Sequence, residues 1–237
     1  MKVTSFLPSV LAAAGIAITS SFLMPSSAQA FRFGFENITS NNAMNAATGE
    51  AQLFVDVLDA SGGENLTSNQ VMFKFSNVGQ AASSITQIYF DNSTVLKSIT
   101  SITDSGDGVS FSEAKKGNLP GGNNVKFTED FVVDAKTPVS SMGVNPGEFV
   151  NIFFDLTSGN TLQNVFNDLT SGSLRLGFHV QAFSDGKSES FVNKPDAPGG
   201  GTGGGNGGST KVPEPGTVAA LALMVGGLRV VRRRKSN

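Results

Sequence analysis

The 237-residue chain contains no cysteine and no tryptophan, a single tyrosine (Tyr89) and a single histidine (His179). Without cysteine there is no disulfide framework, no thiolate metal site and no cysteine nucleophile, so a hydrophobic core must supply the stability. One histidine cannot make an H-E-x-x-H zinc site. The P-loop and Rossmann glycine patterns and the G-x-S-x-G nucleophile elbow are absent as well. Missing Trp leaves any ring-stacking surface to phenylalanine, of which there are 19. Charged residues make up only 15% of the chain and are unevenly placed. Residues 31–196 hold 18 of the 19 acidic residues (all but Glu214) and 10 of the 17 basic ones, a balance of −8. A body of that sign is a poor partner for nucleic acid, whose binders present a basic face.

The first thirty residues, "MKVTSFLPSVLAAAGIAITSSFLMPSSAQA", read as a targeting segment. Lys2 is the basic start, an apolar stretch follows, and Ala28-Gln29-Ala30 is the small-x-small pattern that signal peptidase accepts. Cleavage after Ala30 would start the mature chain at Phe31. The remaining body, 31–196, is large enough for one domain to bury roughly 70% of its unfolded surface.

Within the body, apolar and polar residues alternate. "AQLFVDVLD" places Leu53, Val55 and Val57 on one face. "NQVMFKFSNVG" does the same with Val71, Phe73 and Phe75, "GEFVNIFFDL" with Val150, Ile152, Phe154 and Leu156, and "SLRLGFHVQAFSDG" with Leu174, Leu176, Phe178 and Val180. "SSITQIYFDNS" gives a further strand and "NNVKFTEDFVVD" one or two. Turn-forming runs such as "DASGGEN" and "TDSGDG" separate them. In "NTLQNVFNDLTSG", Leu162, Val165, Phe166 and Leu169 fall at i, i+3, i+4 and i+7, which predicts one short helix crossing between two strands. The expected architecture is mainly β, an antiparallel sandwich with one short helix. Residues 197–211, "APGGGTGGGNGGSTK", lack core-forming side chains and predict a flexible linker spanning on the order of 20 Å.

Candidate chemistry within the body is thin. His179 lies on the polar face of its strand, where a sheet-surface role is more economical than a general base. Asp104 and Asp107 sit three apart in the Gly-rich turn "DSGDG", a weak calcium candidate, since the EF-hand pattern is not matched and a polar turn explains them. Glu129, Asp130 and Asp134 read as solvated charges at a strand edge. No spacing pairs two carboxylates for glycoside hydrolysis. Asn37, Asn65 and Asn92 begin N-x-[ST] triplets. The body therefore reads as non-catalytic, without a cofactor or a metal. The alternatives are a carbohydrate-binding or calcium-stabilised adhesion module and, less economically, a carboxylate-dependent hydrolase.

The last residues, "VPEPGTVAALALMVGGLRVVRRRKSN", carry the sharpest signal. Pro213 and Pro215 hold Glu214 extended, because proline fixes its own φ and pushes the preceding residue out of the α region. Val218–Leu228 is an uncharged apolar run of 11 residues, and only Arg229 interrupts it before Val231. Fourteen helical residues reach about 21 Å, short of a hydrocarbon core of about 30 Å. Arg229 would then lie at the interface, with Arg232, Arg233, Arg234 and Lys235 holding the end on the cytoplasmic side.

Val212-Pro213-Glu214-Pro215, the apolar run and the RRRK cluster together resemble the PEP-CTERM sorting signal of bacterial exported proteins. The resemblance covers about 26 residues. It implies a short transmembrane helix, recognition of Pro213-Glu214-Pro215 by an exosortase-type membrane protease, and transfer to the cell envelope or medium, often alongside exopolysaccharide production. The early Arg229 departs from the pattern and bears on insertion depth. The segment 172–193, "ITQIYFD" and "GVSFSEAKKGNLPGG" are similar to a group of cyanobacterial PEP-CTERM proteins from which no site carries over. The expected protein is exported, transiently membrane-anchored, and structural or interactive in the cell envelope or extracellular matrix, with signal peptidase, the exosortase and exopolysaccharide as partners. A permanent membrane anchor is the other reading of the tail.

Overall fold

The computed structural model describes residues 30–60, 66–91, 94–115 and 117–198. Ten strands and two helices follow in chain order. They are β1 (Ala30–Asn37), α1 (Ala43–Gln52), β2 (Leu53–Leu58), β3 (Gln70–Asn77), β4 (Ser84–Asp91), β5 (Leu96–Asp104), β6 (Phe111–Ala114), β7 (Phe131–Ala135), β8 (Phe149–Leu156), α2 (Leu162–Ser171), β9 (Arg175–Gln181) and β10 (Glu189–Pro198). The body is mainly antiparallel β, as the alternation predicts.

All ten strands join one sheet, in the order β5-β8-β3-β2-β1-β10-β9-β4-β7-β6, and every pairing is antiparallel. The strand pairing therefore does not divide into the two separate sheets of a sandwich. The two outermost strands, β5 and β6, are consecutive in sequence, and only residues 105–110 join them. Such a link spans at most about 25 Å. A flat ten-stranded sheet would set its edges roughly 43 Å apart. The sheet must curl until its edges nearly meet, giving a near-barrel.

The curl brings two five-stranded walls face to face. Phe90 of β4 meets Phe73, Phe75 and Phe154 of the opposite wall with ring centroids 5.3, 5.9 and 4.8 Å apart. Where the walls join, Phe35 packs on Phe178 at 4.0 Å and Phe178 on Phe191 at 5.6 Å. These rings, together with Val55, Val57, Val71, Ile88, Val150, Ile152 and Leu176, are fully buried. Burying a ring of this size contributes about 1.5–3 kcal/mol, and the edge-to-face geometry adds about 0.5–1.5 kcal/mol per pair. A cysteine-free chain of this size can be held by such a core.

The predicted helix is α2, which crosses from β8 to β9. Thr161 and Asn164 form a capping box at its start, and Gly172 ends it in the left-handed region at φ 76°. Leu162, Val165 and Leu169 face the core, and Phe166 stacks on Phe31 of β1 with centroids 4.2 Å apart. α2 therefore lies at the end of the barrel where β1 begins and β10 finishes.

α1, at the opposite end, has no apolar stripe. Asn42 caps it by accepting from the Met44 and Asn45 N–H groups, and its buried face is Asn45, Gly49 and Gln52. A Cβ on Gly49 would stand 2.2 Å from Phe191 Cζ. Gly49→Ala gains about 1 kcal/mol of helix propensity but forces a fully buried ring to move, at about 1–3 kcal/mol. The steric cost wins because Phe191 has no free volume. We expect a net loss of up to about 2 kcal/mol, read from urea midpoints at unchanged m-value.

The outer face differs between the walls. Over β10, β9, β4 and β7 it is covered by the connection between β6 and β7, whose Leu119, Val125 and Phe127 pack on Tyr89, Val132 and Val192. Gly177 permits the contact, since a Cβ there would lie 2.7 Å from Leu119 Cδ2. Arg175 pins the connection, donating to the carbonyls of Val125 and Lys126 and to Asp91 while its guanidinium lies 5.2 Å from the Phe127 ring centre. The wall β5-β8-β3-β2-β1 has no described segment packed over it in this way.

Candidate functional site

Period-two alternation and cross-strand register together decide what this second wall presents. Arg32 pairs with Asp56, Asp56 with Lys74, Lys74 with Asn151 and Asn151 with Thr103, so five neighbouring strands place five polar side chains in one row. The row runs across the strands for about 19 Å. Phe149, Ser76 and Phe54 make the adjacent row. Gly34 leaves room beside Phe54, whose Cε1 lies 3.8 Å from where a Cβ would stand.

Arg32 holds Asp56 in a bidentate fork, Nε to Oδ1 and Nη2 to Oδ2, both at 2.7 Å. Donating to Asp56 raises the Arg32 pKa further, against the opposing effect of burial. The guanidinium lies 5.6 Å from the Phe54 ring centre, and Lys74 Nζ lies 4.0 Å from that of Phe149. Asn151 Nδ2 donates to Thr103 Oγ1 at 3.1 Å, while Asn151 Oδ1 is buried without a partner. Buried Asn77 has a similarly unpaired Oδ1, although its Nδ2 donates to Ser83. A buried polar atom without a partner costs about 1–3 kcal/mol, which makes both amides candidates for an ordered water. Arg32, Asp56, Lys74, Ser76, Glu148 and Phe149 line a shallow groove of about 250 Å³ here. Planar hydrogen-bonding groups beside half-buried rings can bind a flat, hydroxyl-bearing ligand, and two cations against two carboxylates give no net preference for charge.

His179 occupies the polar face of β9, as its strand phase predicts. Its Nδ1 lies 3.3 Å from Gln87 Oε1, and Gln87 Nε2 donates to Asp134 Oδ1 at 3.1 Å. Ser190 stands directly opposite on β10, but its hydroxyl is buried with no partner, so the Ser–His bond that activates a nucleophile is not made. Burial holds the His179 pKa below its ordinary value. The unfolded chain therefore takes up the proton first. Stability from this site is complete above about pH 6.5 and declines as pH falls toward the folded value. His179→Gln should flatten the stability–pH curve below about pH 6.5 relative to the parent, measured by urea titration at each pH. An unchanged slope would place the titration elsewhere.

Asp104 caps its own turn, its Oδ1 accepting from the Gly106 N–H at 3.0 Å. Among the described residues no three His, Asp or Glu side chains are grouped to hold a metal ion. Tyr89 is buried under the β6–β7 connection and donates to the Asn118 carbonyl, and burial, with Asp134 and Glu129 nearby, raises its pKa. Asn37 cannot present a free amide, since Nδ2 donates to Glu189 and to the Ser190 carbonyl. Ala30 is the first residue of β1. Ala28, Val212, Pro213, Glu214, Pro215, Arg229, Arg232, Arg233, Arg234 and Lys235 lie outside the described residues, as do Asn65 and Asn92. Among the described residues no helix is long and apolar enough to cross a membrane.

Sequence reasoning did not single out Arg32, Asp56, Lys74 or Asn151. Each occupies an outward position of an alternating strand, but only the register brings them together. A second depression of about 420 Å³, between Ser140 and the β9–β10 turn, is lined by Gln181, Ala182, Lys187 and Ser188, with Ala182 at φ 54°. In comparisons with known proteins, no family model, no curated protein and no solved structure matches the chain.

Proposed function

We propose that the chain is an exported bacterial envelope or matrix protein. Its tail is inserted in the membrane and cut at Pro213-Glu214-Pro215 by an exosortase-type protease. Its body, packed as a flattened sandwich, acts non-catalytically in contact with exopolysaccharide. The observation that carries this reading is the order of segments. A small-x-small site at 28–30 stands where β1 begins, β10 finishes at Pro198 where the glycine run begins, and the Pro-Glu-Pro turn, apolar run and basic stop follow. The groove on the uncovered wall supports the interaction role, because its lining suits hydroxyl groups and ring faces.

Intact mass of the native protein, taken separately from membrane and from envelope or medium fractions, tests the reading. A membrane form starting at Phe31 beside a released form lacking the residues after the Pro-Glu-Pro turn is expected. One species retaining Arg232 to Asn237 in every fraction would overturn it in favour of a permanent anchor.

A further inference from the structure

We infer that the α2 end of the barrel is the face turned to the lipid surface while the protein is anchored, and that the α1 end faces outward. This rests on the tail being inserted, and two features of the described body carry it further. The first is where the chain leaves. β10 finishes at Pro198 opposite Phe33 of β1, and Phe31 stacks on Phe166 of α2, so the linker departs beside α2. From residue 199 to the start of the apolar run at Val218 is 19 residues, a coil of on the order of 25 Å if it behaves as its composition predicts. The eight-residue strands of the body are themselves about 26 Å long. The α1 end is thus further from the bilayer by much of a strand length.

The second feature is charge. Among the described residues, the strand ends and loops at the α2 end place Asp59, Asp91, Glu129, Asp130, Asp155 and Asp168 beside Lys97, Lys115, Lys126, Arg175 and Lys194, a balance of −1, and Gln163, Asn164 and Asn167 of α2 are exposed there. At the α1 end the described strand ends, loops and α1 bring Glu36, Glu50, Asp104, Asp107, Asp134, Glu148 and Asp185 against Lys136 and Lys187, a balance of −5, with Glu189 buried beneath them. An anionic lipid surface repels the second face over a Debye length of about 8 Å, while the first offers amides that hydrogen-bond to headgroups. Tether and charge select the same orientation. The groove beside Ser76 and Glu148, at the α1 ends of β3 and β8, is then left open to the medium.

The absence of native cysteine allows single-site labelling of the full chain. Gln163→Cys on α2 and Ala47→Cys on α1 are both exposed. Each labelled protein is reconstituted into phosphatidylglycerol–phosphatidylcholine vesicles carrying a headgroup spin label, and fluorophore quenching is measured with flotation on the same sample. At least threefold stronger quenching at 163 than at 47 is expected, narrowing in phosphatidylcholine alone or at high salt. Protein that floats with equal quenching at both sites, or stronger quenching at 47, overturns the orientation while leaving the anchored tail standing. Protein that does not float overturns the tail reading, and the orientation with it.

Discussion

Glu189→Ala is expected to destabilise the protein by about 3–5 kcal/mol, as much as truncating a buried core side chain. Glu189 begins β10 and is only 1% exposed. Its Oε2 accepts from Asn37 Nδ2, the Thr39 hydroxyl and the Asn41 N–H, and its Oε1 accepts from the Asn42 N–H at 2.6 Å. One carboxylate therefore organises the whole turn from β1 into α1. Asp185, in the β9–β10 turn, supports it by accepting from Asn42 and Asn45. Alanine would leave the Thr39 hydroxyl and the Asn41 and Asn42 N–H groups without an acceptor, with Asn37 Nδ2 keeping only the Ser190 carbonyl, and the entry to α1 would open with them. Glutamine keeps the shape and one acceptor oxygen but turns an NH₂ toward donors, so it should cost less, about 2–3 kcal/mol.

Burial pushes the Glu189 carboxyl upward in pKa. The hydrogen bonds from Thr39, Asn37 and the backbone of residues 41 and 42 outweigh that and hold it below the ordinary carboxylate range. A depressed folded value means that the stabilisation is complete above the unfolded pKa and is lost as pH falls through the folded one. The gap in stability between parent and Glu189→Gln should therefore close as the pH falls below the ordinary glutamate pKa of about 4.3. A gap that stays constant on acidification would mean that the carboxylate charge is not what holds the turn. Hydrogen exchange of the α1 amides offers an independent check, since their protection should fall before that of β3 or β8.

None of this was legible in the sequence. α1 escaped because its buried face is Asn45, Gly49 and Gln52, so no apolar period marks it. Its position is set by a glutamate nearly 150 residues away. β5, "LKSITSITD", escaped for a related reason. It is an edge strand with most side chains partly or fully exposed, and its two register shifts against β8 break the alternation. β2, β3, β8 and β9 were legible because one face of each meets the core, and α2 because its core face follows the helical period. Barrel or sandwich could not be read, since the answer lies in strand order. The six-residue link between β5 and β6 constrains the sheet only once those strands are known to be its two edges. The polar row on the uncovered wall depends on the same missing information. Arg32 and Asp56 are 24 positions apart and meet only through register.

Glu214→Ala is expected to abolish the released form, leaving a membrane species that extends to Asn237. In sequence Glu214 stands between Pro213 and Pro215, and its carboxylate is the one charged group between Lys211 and Arg229. On the processing proposed above, a protease that recognises Pro213-Glu214-Pro215 would gain its polar discrimination from that carboxylate. Deleting it should cost cleavage far more than it costs insertion, because the apolar run is untouched. Arg229→Leu separates the two steps. It lengthens the uncharged run from 11 residues to the 14 of Val218–Val231, from about 17 to about 21 Å of helix, still short of a full span. It should strengthen membrane retention while leaving the cut site intact. Fractionation with intact mass on both variants discriminates the readings. Loss of release in Glu214→Ala with release persisting in Arg229→Leu fits a processed sorting signal. A distribution that follows the apolar length and ignores Glu214 would leave the tail as an anchor and nothing more.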